Sequence, residues 1–134
     1  MKNVLGVIYK RLTDTASVTA LVGTRIYPVT VPQQASAPFI RTSLISTTPI
    51  DTKNAPADVD SHRVQIDCIG TTYTQALNIA QVVRTSLDRF RGSVTLQSGA
   101  VFVDGIRYLD ETGEMEFEKD LHAHILDFQI RLHQ

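Results

Sequence analysis

The order of periodicities along this chain predicts an α+β fold. The expected form is a two-layer sandwich, with an antiparallel or mixed sheet covered on one face by one long helix and a short N-terminal helix. Three observations predict it. An apolar stripe at helical spacing runs through residues 73–90. Residues 63–69 and the last stretch before Leu132 alternate apolar and polar side chains with period two. Two short helical patterns precede the first strand. With 134 residues, 43% of them hydrophobic, the chain can bury its core as one domain spanning 1–134.

The elements follow in order. Val4, Leu5, Ile8 and Leu12 fall on one helical face, predicting a helix over 3–13. A second, short helix is expected next. Ser17 caps it, Val18, Leu21 and Val22 form its buried side, and Gly23 ends it. Residues 25–27 read as extended. Pro28 and Pro32 then confine 29–31 to an edge strand or an irregular segment, because proline cannot donate to a ladder. Residues 39–47 are rich in β-branched and aromatic residues and read as a strand.

Residues 48–61 carry Pro49, Pro56, Asp51, Asp58 and Asp60 and few large apolar residues, so they read as a long polar loop. Such a segment is expected to be mobile alone and ordered by a neighbour. In 63–69, Val64, Ile66 and Cys68 share one face, and Arg63, Gln65 and Asp67 the other.

The next helix is the clearest element. Thr72 and Gln75 have capping-box spacing, with Gln75 expected to reach the Thr72 backbone. Tyr73, Ala76, Leu77, Ala80, Val83, Leu87 and Phe90 make its stripe, widened by Ile79 and Val82, and Gly92 is the stop. Strands over 94–96 and 101–103 flank a turn at Ser98-Gly99. A further strand over 106–109 leads into a predicted turn over 110–114. The last strand places Leu126, Phe128, Ile130 and Leu132 on one face and Asp127, Gln129 and Arg131 on the other.

The charge balance narrows the function. Lys+Arg number 13 against 14 Asp+Glu, a net charge of -1, which argues against a sequence-reading nucleic-acid binder. A single cysteine, Cys68, excludes an internal disulfide framework, and its place on the apolar face reads as a small buried hydrophobe. No apolar run approaches the ~20 residues that span a bilayer. The apolar run before Lys10-Arg11 is short for a signal peptide, so the expected site of synthesis and folding is a cytoplasm.

No G-x-x-x-x-G-K-[ST], G-x-G-x-x-G or G-x-S-x-G motif occurs, so neither an enzyme nor a bound cofactor is predicted. His122 and His124 form an H-x-H pair that a strand would put on one face, with His62 and His133 as conceivable further ligands. No carboxylate or cysteine stands at ligand spacing, and no metal site is predicted. Asp110, Glu111, Glu114, Glu116, Glu118 and Asp120 make an acidic segment. It reads as a solvated hairpin tip, or as a surface for a basic partner or one that repels DNA phosphates. Arg84, Arg89 and Arg91 read as a solvated helix face or a subunit contact.

One ordered set of segments is more specific. Leu21-Val22-Gly23-Thr24-Arg25-Ile26-Tyr27-Pro28 leads to Val31-Pro32-Gln33 and Ala37-Pro38-Phe39-Ile40. Arg63-Val64-Gln65-Ile66-Asp67-Cys68, Thr72-Tyr73, Ala76-Leu77, the helix around Val83-Arg84, Asp110-Glu111-Thr112-Gly113 and Leu126-Asp127-Phe128 follow. Across residues 4–132 this resembles the tail completion (tail terminator) proteins of long-tailed, non-contractile-tail bacteriophages and their prophages. Ile69-Gly70 stands where an aromatic is common in that family, and the last strand lacks the usual aromatic near Leu132.

The resemblance implies a structural virion protein of the tail or neck, assembled in the bacterial host's cytoplasm. It implies a six-fold ring of copies of this chain that caps the tail tube protein, stops elongation and offers a surface to the head-side connector protein. DNA would pass through that ring without sequence-specific binding. The expected interface residues are Val29, Val31, Asp51, Asp58, Asp60, Glu116 and Glu118. Two rivals stay open: another head–tail joining protein of the neck, and a small metal- or ligand-binding module using His122 and His124.

Overall fold

The computed structural model describes residues 3–50, 59–118 and 120–133, with 114–118 described as backbone alone. Its elements are α1 (Val4–Thr13), α2 (Ala16–Val22), β1 (Ile26–Pro28), β2 (Phe39–Ile50), β3 (Val59–Gly70), α3 (Tyr73–Leu87), β4 (Gly92–Leu96), β5 (Gly99–Glu118) and β6 (Leu121–His133). The strands form one sheet in the order β1-β2-β3-β6-β5-β4. Only β1 and β2 run parallel; every other neighbouring pair is antiparallel. The sheet is therefore mixed.

The α+β class holds, but the layering differs from a flat sandwich under one long helix. The sheet curls into a half-barrel accompanied by α1, α2 and α3. The register of β5 against β6 slips at Val103/Gly105, Tyr108/Asp110, Thr112/Met115 and Glu116/Glu118. Each bulge adds local twist and bend, and a strand bulged this often cannot stay flat.

The predicted core faces meet as expected. Val64, Ile66 and Cys68 of β3 and Leu126, Phe128, Ile130 and Leu132 of β6 are fully buried. They join one cluster with Val7, Ile8 and Leu12 of α1, Val18 and Val22 of α2, and Ile79, Val83 and Leu87 of α3. Leu77 is only half-buried and Tyr73 is exposed, so neither is the core residue the stripe implied. Leu77 lies at the edge of the buried stripe, and Tyr73, though in line with Ala80, is the first residue of the helix.

Helix ends obey local chemistry with shifts of a residue or two. Asn3 caps α1, its Oδ1 accepting the Gly6 N–H at 2.9 Å. Thr15, rather than Ser17, precedes α2; its hydroxyl is bound to Arg11 O and to Ser86 Oγ, so it ties α2 to α1 and α3. Thr72 Oγ1 accepts the Gln75 N–H at 3.1 Å as predicted. The reciprocal bond goes elsewhere: Gln75 Oε1 accepts from the N–H and hydroxyl of Thr71, not from Thr72. Helix α3 ends at Leu87, well before Gly92, because Asp88 is extended and Arg89 takes a positive φ of 66°.

Three loop assignments change. The predicted 48–61 loop is strand at both ends, since β2 runs to Ile50 and β3 begins at Val59, with Pro49 opposite Asp60. The rest of it lies outside the described residues. The turn predicted over 110–114 does not form: Asp110 and Gly113 sit beside bulges within β5, so turn-prone residues here serve to bend a strand. The turn between β4 and β5 is Gln97-Ser98, with Leu96 opposite Gly99, one residue earlier than expected.

The helix-free side of the sheet is not wholly polar. Phe39, Ile69 and Ala123 form a second buried cluster there, covered by Tyr27, Val31, Ala37, Leu121 and Ile125. Gly70 closes β3 under α3. A Cβ at this position would stand 2.8 Å from the Ala76 backbone nitrogen, so the helix packs where only glycine fits.

Candidate interaction surfaces

The edge strand is Ile26–Pro28, within the stretch read as extended, and 29–31 take the irregular alternative. The ladder gives out at Val29, whose N–H donates to Thr42 O at 2.7 Å and whose φ is 65°. A β-branched residue in that region is strained, and Val29 is 63% exposed. Val31 is partly buried against the Phe39–Ile69–Ala123 cluster and so packs inward instead of offering an edge. Between them a cleft of about 410 Å³ opens, lined by Val29, Pro32, Gln33, Phe39, Arg41 and Leu121 among others.

Asp60 lies in β3 and is half-buried, opposite Leu132 on one side and Pro49 on the other. Asp51 and Asp58 lie outside the described residues. Glu116 and Glu118 are placed by their backbone in β5, registered with His122 and Leu121. The acidic segment is therefore the far end of β5 and runs to the tip of the long β5–β6 hairpin, where Glu118 pairs with Leu121. Of the proposed interface residues the fold groups Glu116 with Glu118, and keeps Val29, just past β1, and Asp60, in β3, elsewhere.

The helix-free face carries charge in matched pairs. Arg41 grips Asp67 through Nε, at 2.8 Å, and through Nη2, while Gln65 Nε2 donates to the other carboxylate oxygen at 2.9 Å. The Asp67 side chain is only 2% exposed, so these donors replace the water it has lost. Arg63 meets Asp127 at 3.1 Å, and Gln129 donates to Ser61 Oγ at 2.8 Å. The period-two pattern marked this face as polar. The burial of Asp67 was not visible, because it depends on the second apolar cluster beside it.

The histidines fall into two distant groups. His122 and His124 pair with Gly70 and Cys68 at one end of β3. His133 pairs with Val59, and His62 with Ile130, at the other end. Register alone thus prevents the four from sharing an ion. Among the described residues no group of three His, Cys, Asp or Glu side chains converges as metal ligands would. His124 is buried and bound to Glu111 at 2.7 Å, with Gly113 leaving room for its ring. His62 is fully buried and bonded to Thr47 Oγ1 at 2.9 Å. Burial holds its pKa below the ordinary value, against the opposing pull of Asp60. Burial and the neighbouring Asp67 and Glu111 push the Cys68 thiol far up, which leaves it protonated and inert.

No curated protein matches the sequence. A chain from the virion of a native gene transfer agent (GTA) particle shares the fold, with a TM-score of 0.73, 23% identity, and coverage of 96% of this chain and 92% of that one. The family model described as tail completion protein gp17 matches residues 6–133. Since that match takes in nearly every element described above, the chain belongs to the tail completion protein gp17 family and is a structural protein of a phage-like tail.

Proposed function

We propose that this protein caps the tail tube as a ring of identical copies, six in the virion. The ring stops tube elongation and presents the surface on which the head-side connector docks. Membership of the tail completion family across residues 6–133 carries this reading. The fold it shares with a component of a gene transfer agent virion supports it.

The physical logic is specific. A tube of stacked identical rings has no intrinsic stop, because each ring offers the next the same surface. A terminator needs one face that a tube subunit accepts and another that it does not. This chain has ends of different chemistry: β5 carries its acids towards Glu118, while β2 ends in the uncharged run Thr47, Thr48, Pro49, Ile50. DNA passage needs no affinity, and a net charge of -1 with Arg41 and Arg63 already paired limits phosphate binding. Assembly takes place in the host cytoplasm, and the protein remains in the neck of the particle.

Deleting the gene tests the reading. Electron microscopy of the lysate should show filled heads unjoined to tails, and tubes of irregular, often excessive length. Glu116→Lys with Glu118→Lys should disturb joining while the protein still folds. Tails of normal length attached to heads in the gene's absence would refute the terminator role. Tubes of normal length that stay unjoined would make it a joining protein without length control.

A further inference from the structure

Exposed arginines gather where β5, β6 and the end of α3 meet. Two clefts open there and share Arg107. One, of about 280 Å³, lies over β5 and β6 and is lined by Asp104, Gly105, Arg107, Gln129 and Arg131 among others. The other, of about 400 Å³, lies against the end of α3 and is lined by Asp88, Arg89, Arg107 and Tyr108 among others.

Register builds the first cleft. Gly105 stands opposite Arg131, and Arg107 opposite Gln129. Arg107 and Arg131 are therefore diagonal neighbours on the helix-free face, their backbones about 7–8 Å apart. Gly105 leaves the space beside Arg131 open: a Cβ there would meet nothing within 4 Å. The result is a recess with a guanidinium on two sides.

Arg89, Arg107 and Arg131 are exposed, and among the described residues none of them stands in an ion pair. Arg84 differs. Its guanidinium lies over the Tyr108 ring, 3.8 Å from the centroid, and Asp110 and Glu111 stand beside that ring in the same subunit. Arg84 is thus balanced at home and is no part of the site.

Most described acids of this chain are likewise engaged within the subunit. Asp14, Asp67, Asp104, Glu111 and Asp127 each stand against a basic side chain. Asp88 and Asp110 accept backbone N–H groups at 3.1 and 2.8 Å, and Asp60 is engaged as well. These acids are poorly placed to serve the arginines of a neighbouring copy.

We propose that the recess between Arg107 and Arg131 receives a carboxylate from a different virion protein, and that Arg89, across the shared wall, takes a neighbouring one. The partner presents Asp or Glu side chains on its surface. All three cations are arginines, whose planar forks grip a carboxylate through two parallel hydrogen bonds. Duplex DNA fits less well. It brings one negative charge per about 1.7 Å of its axis. Asp88 and Asp104, in the walls of the two clefts, oppose so dense a row, whereas a few carboxylates set on a protein surface avoid them. This docking site rests on the capping role proposed above and names the chemistry of one partner in it.

The experiment uses the particle-producing strain. Arg107→Glu with Arg131→Glu should cut joined particles about tenfold or more, with circular dichroism and thermal midpoint of the purified protein near wild type. Gly105→Thr plugs the recess without changing charge, at a position open to a side chain, and should cut joining about threefold or more. Normal joining with either variant refutes the docking site and leaves the capping role intact. Tails of normal length attached to heads in the deletion strain refute the capping role itself. Arg107→Lys keeps the charge and supplies an amine, which a water-soluble carbodiimide links only to a carboxylate in contact. Mass spectrometry of treated particles should find the new lysine joined to Asp or Glu of another virion protein. Links confined to copies of this chain, or no link, refute the proposal. Purified wild-type protein should leave a short random duplex DNA unshifted in a gel. A shift that Arg107→Glu with Arg131→Glu abolishes would overturn the protein partner in favour of DNA.

Discussion

Truncating two leucines of α3 distinguishes the observed packing from the helical stripe that the sequence implies. Leu87 is fully buried in the main core, whereas Leu77, ten residues earlier on the same apolar pattern, is half-buried and outside it. Leu87→Ala removes three carbon groups worth about 0.8 kcal/mol each in transfer, and the cavity adds to that, giving about 3–4 kcal/mol. For 134 residues the unfolding entropy is about 0.28 kcal/mol/K, so the midpoint should fall by roughly 11–14 °C. Leu77→Ala leaves a site that water and neighbouring side chains can fill, and should cost about 1 kcal/mol, roughly 4 °C. Thermal and urea unfolding followed by circular dichroism measure both, with an unchanged urea slope certifying that the unfolding transition is the same. Equal shifts for the two variants, or a shift for Leu87→Ala below about 4 °C, would refute the placement of α3 on the sheet.

Gly70→Ala should cost about 1–3 kcal/mol in urea unfolding, because its Cβ would lie 2.8 Å from the Ala76 backbone nitrogen; a neutral result would mean α3 can shift freely. Arg41→Ala should destabilise by about 2 kcal/mol, since it strips a carboxylate only 2% exposed of its cation, while Arg63→Ala beside the more exposed Asp127 should cost under about 1 kcal/mol; the reverse order would refute the burial argument. Because burial depresses the His62 pKa, the unfolded chain binds more protons there than the folded one, so stability is full above about pH 6.5 and falls as pH drops below it. His62→Gln should flatten that fall between pH 7 and 5, and identical urea midpoint curves for the two proteins would exclude His62 as its source.

Much of the fold was legible because period sets which side of an element is buried. The alternation of Val64, Ile66 and Cys68 and of Leu126, Phe128, Ile130 and Leu132 found the two central strands, and the capping by Thr72 found the start of α3. What failed were the positions where a local signal has two structural meanings. Asp110 and Gly113 favour a turn, yet they equally suit a bulge, and only the pairing of β5 with β6 decides. Pro49 argues against a central strand, but β2 from Ser43 onward borders no further strand among the described residues, where the missing N–H costs no ladder bond. The polar composition of 48–61 likewise hid two strand ends, because a strand solvated on both sides has no apolar alternation to read.

The surfaces were legible only one element at a time. Arg84 and Arg89 read as a solvated helix face, and Arg107 and Arg131 had no reason in sequence to join them. They meet because the Gly105↔Arg131 and Arg107↔Gln129 register sets β6 beside β5, and because Asp88 and Arg89 fold the end of α3 onto the strand. A net charge of -1 is an average that conceals this gathering. The same average misleads about association. A chain with evenly spread charges has no electrostatic reason to prefer one orientation of its neighbour. This chain gathers exposed guanidinium groups, in no ion pair among the described residues, where β5, β6 and the end of α3 meet, and such uneven placement gives association a preferred orientation. For a part whose proposed task is to close a ring and then accept nothing more of the same kind, that directional preference matters more than raw affinity.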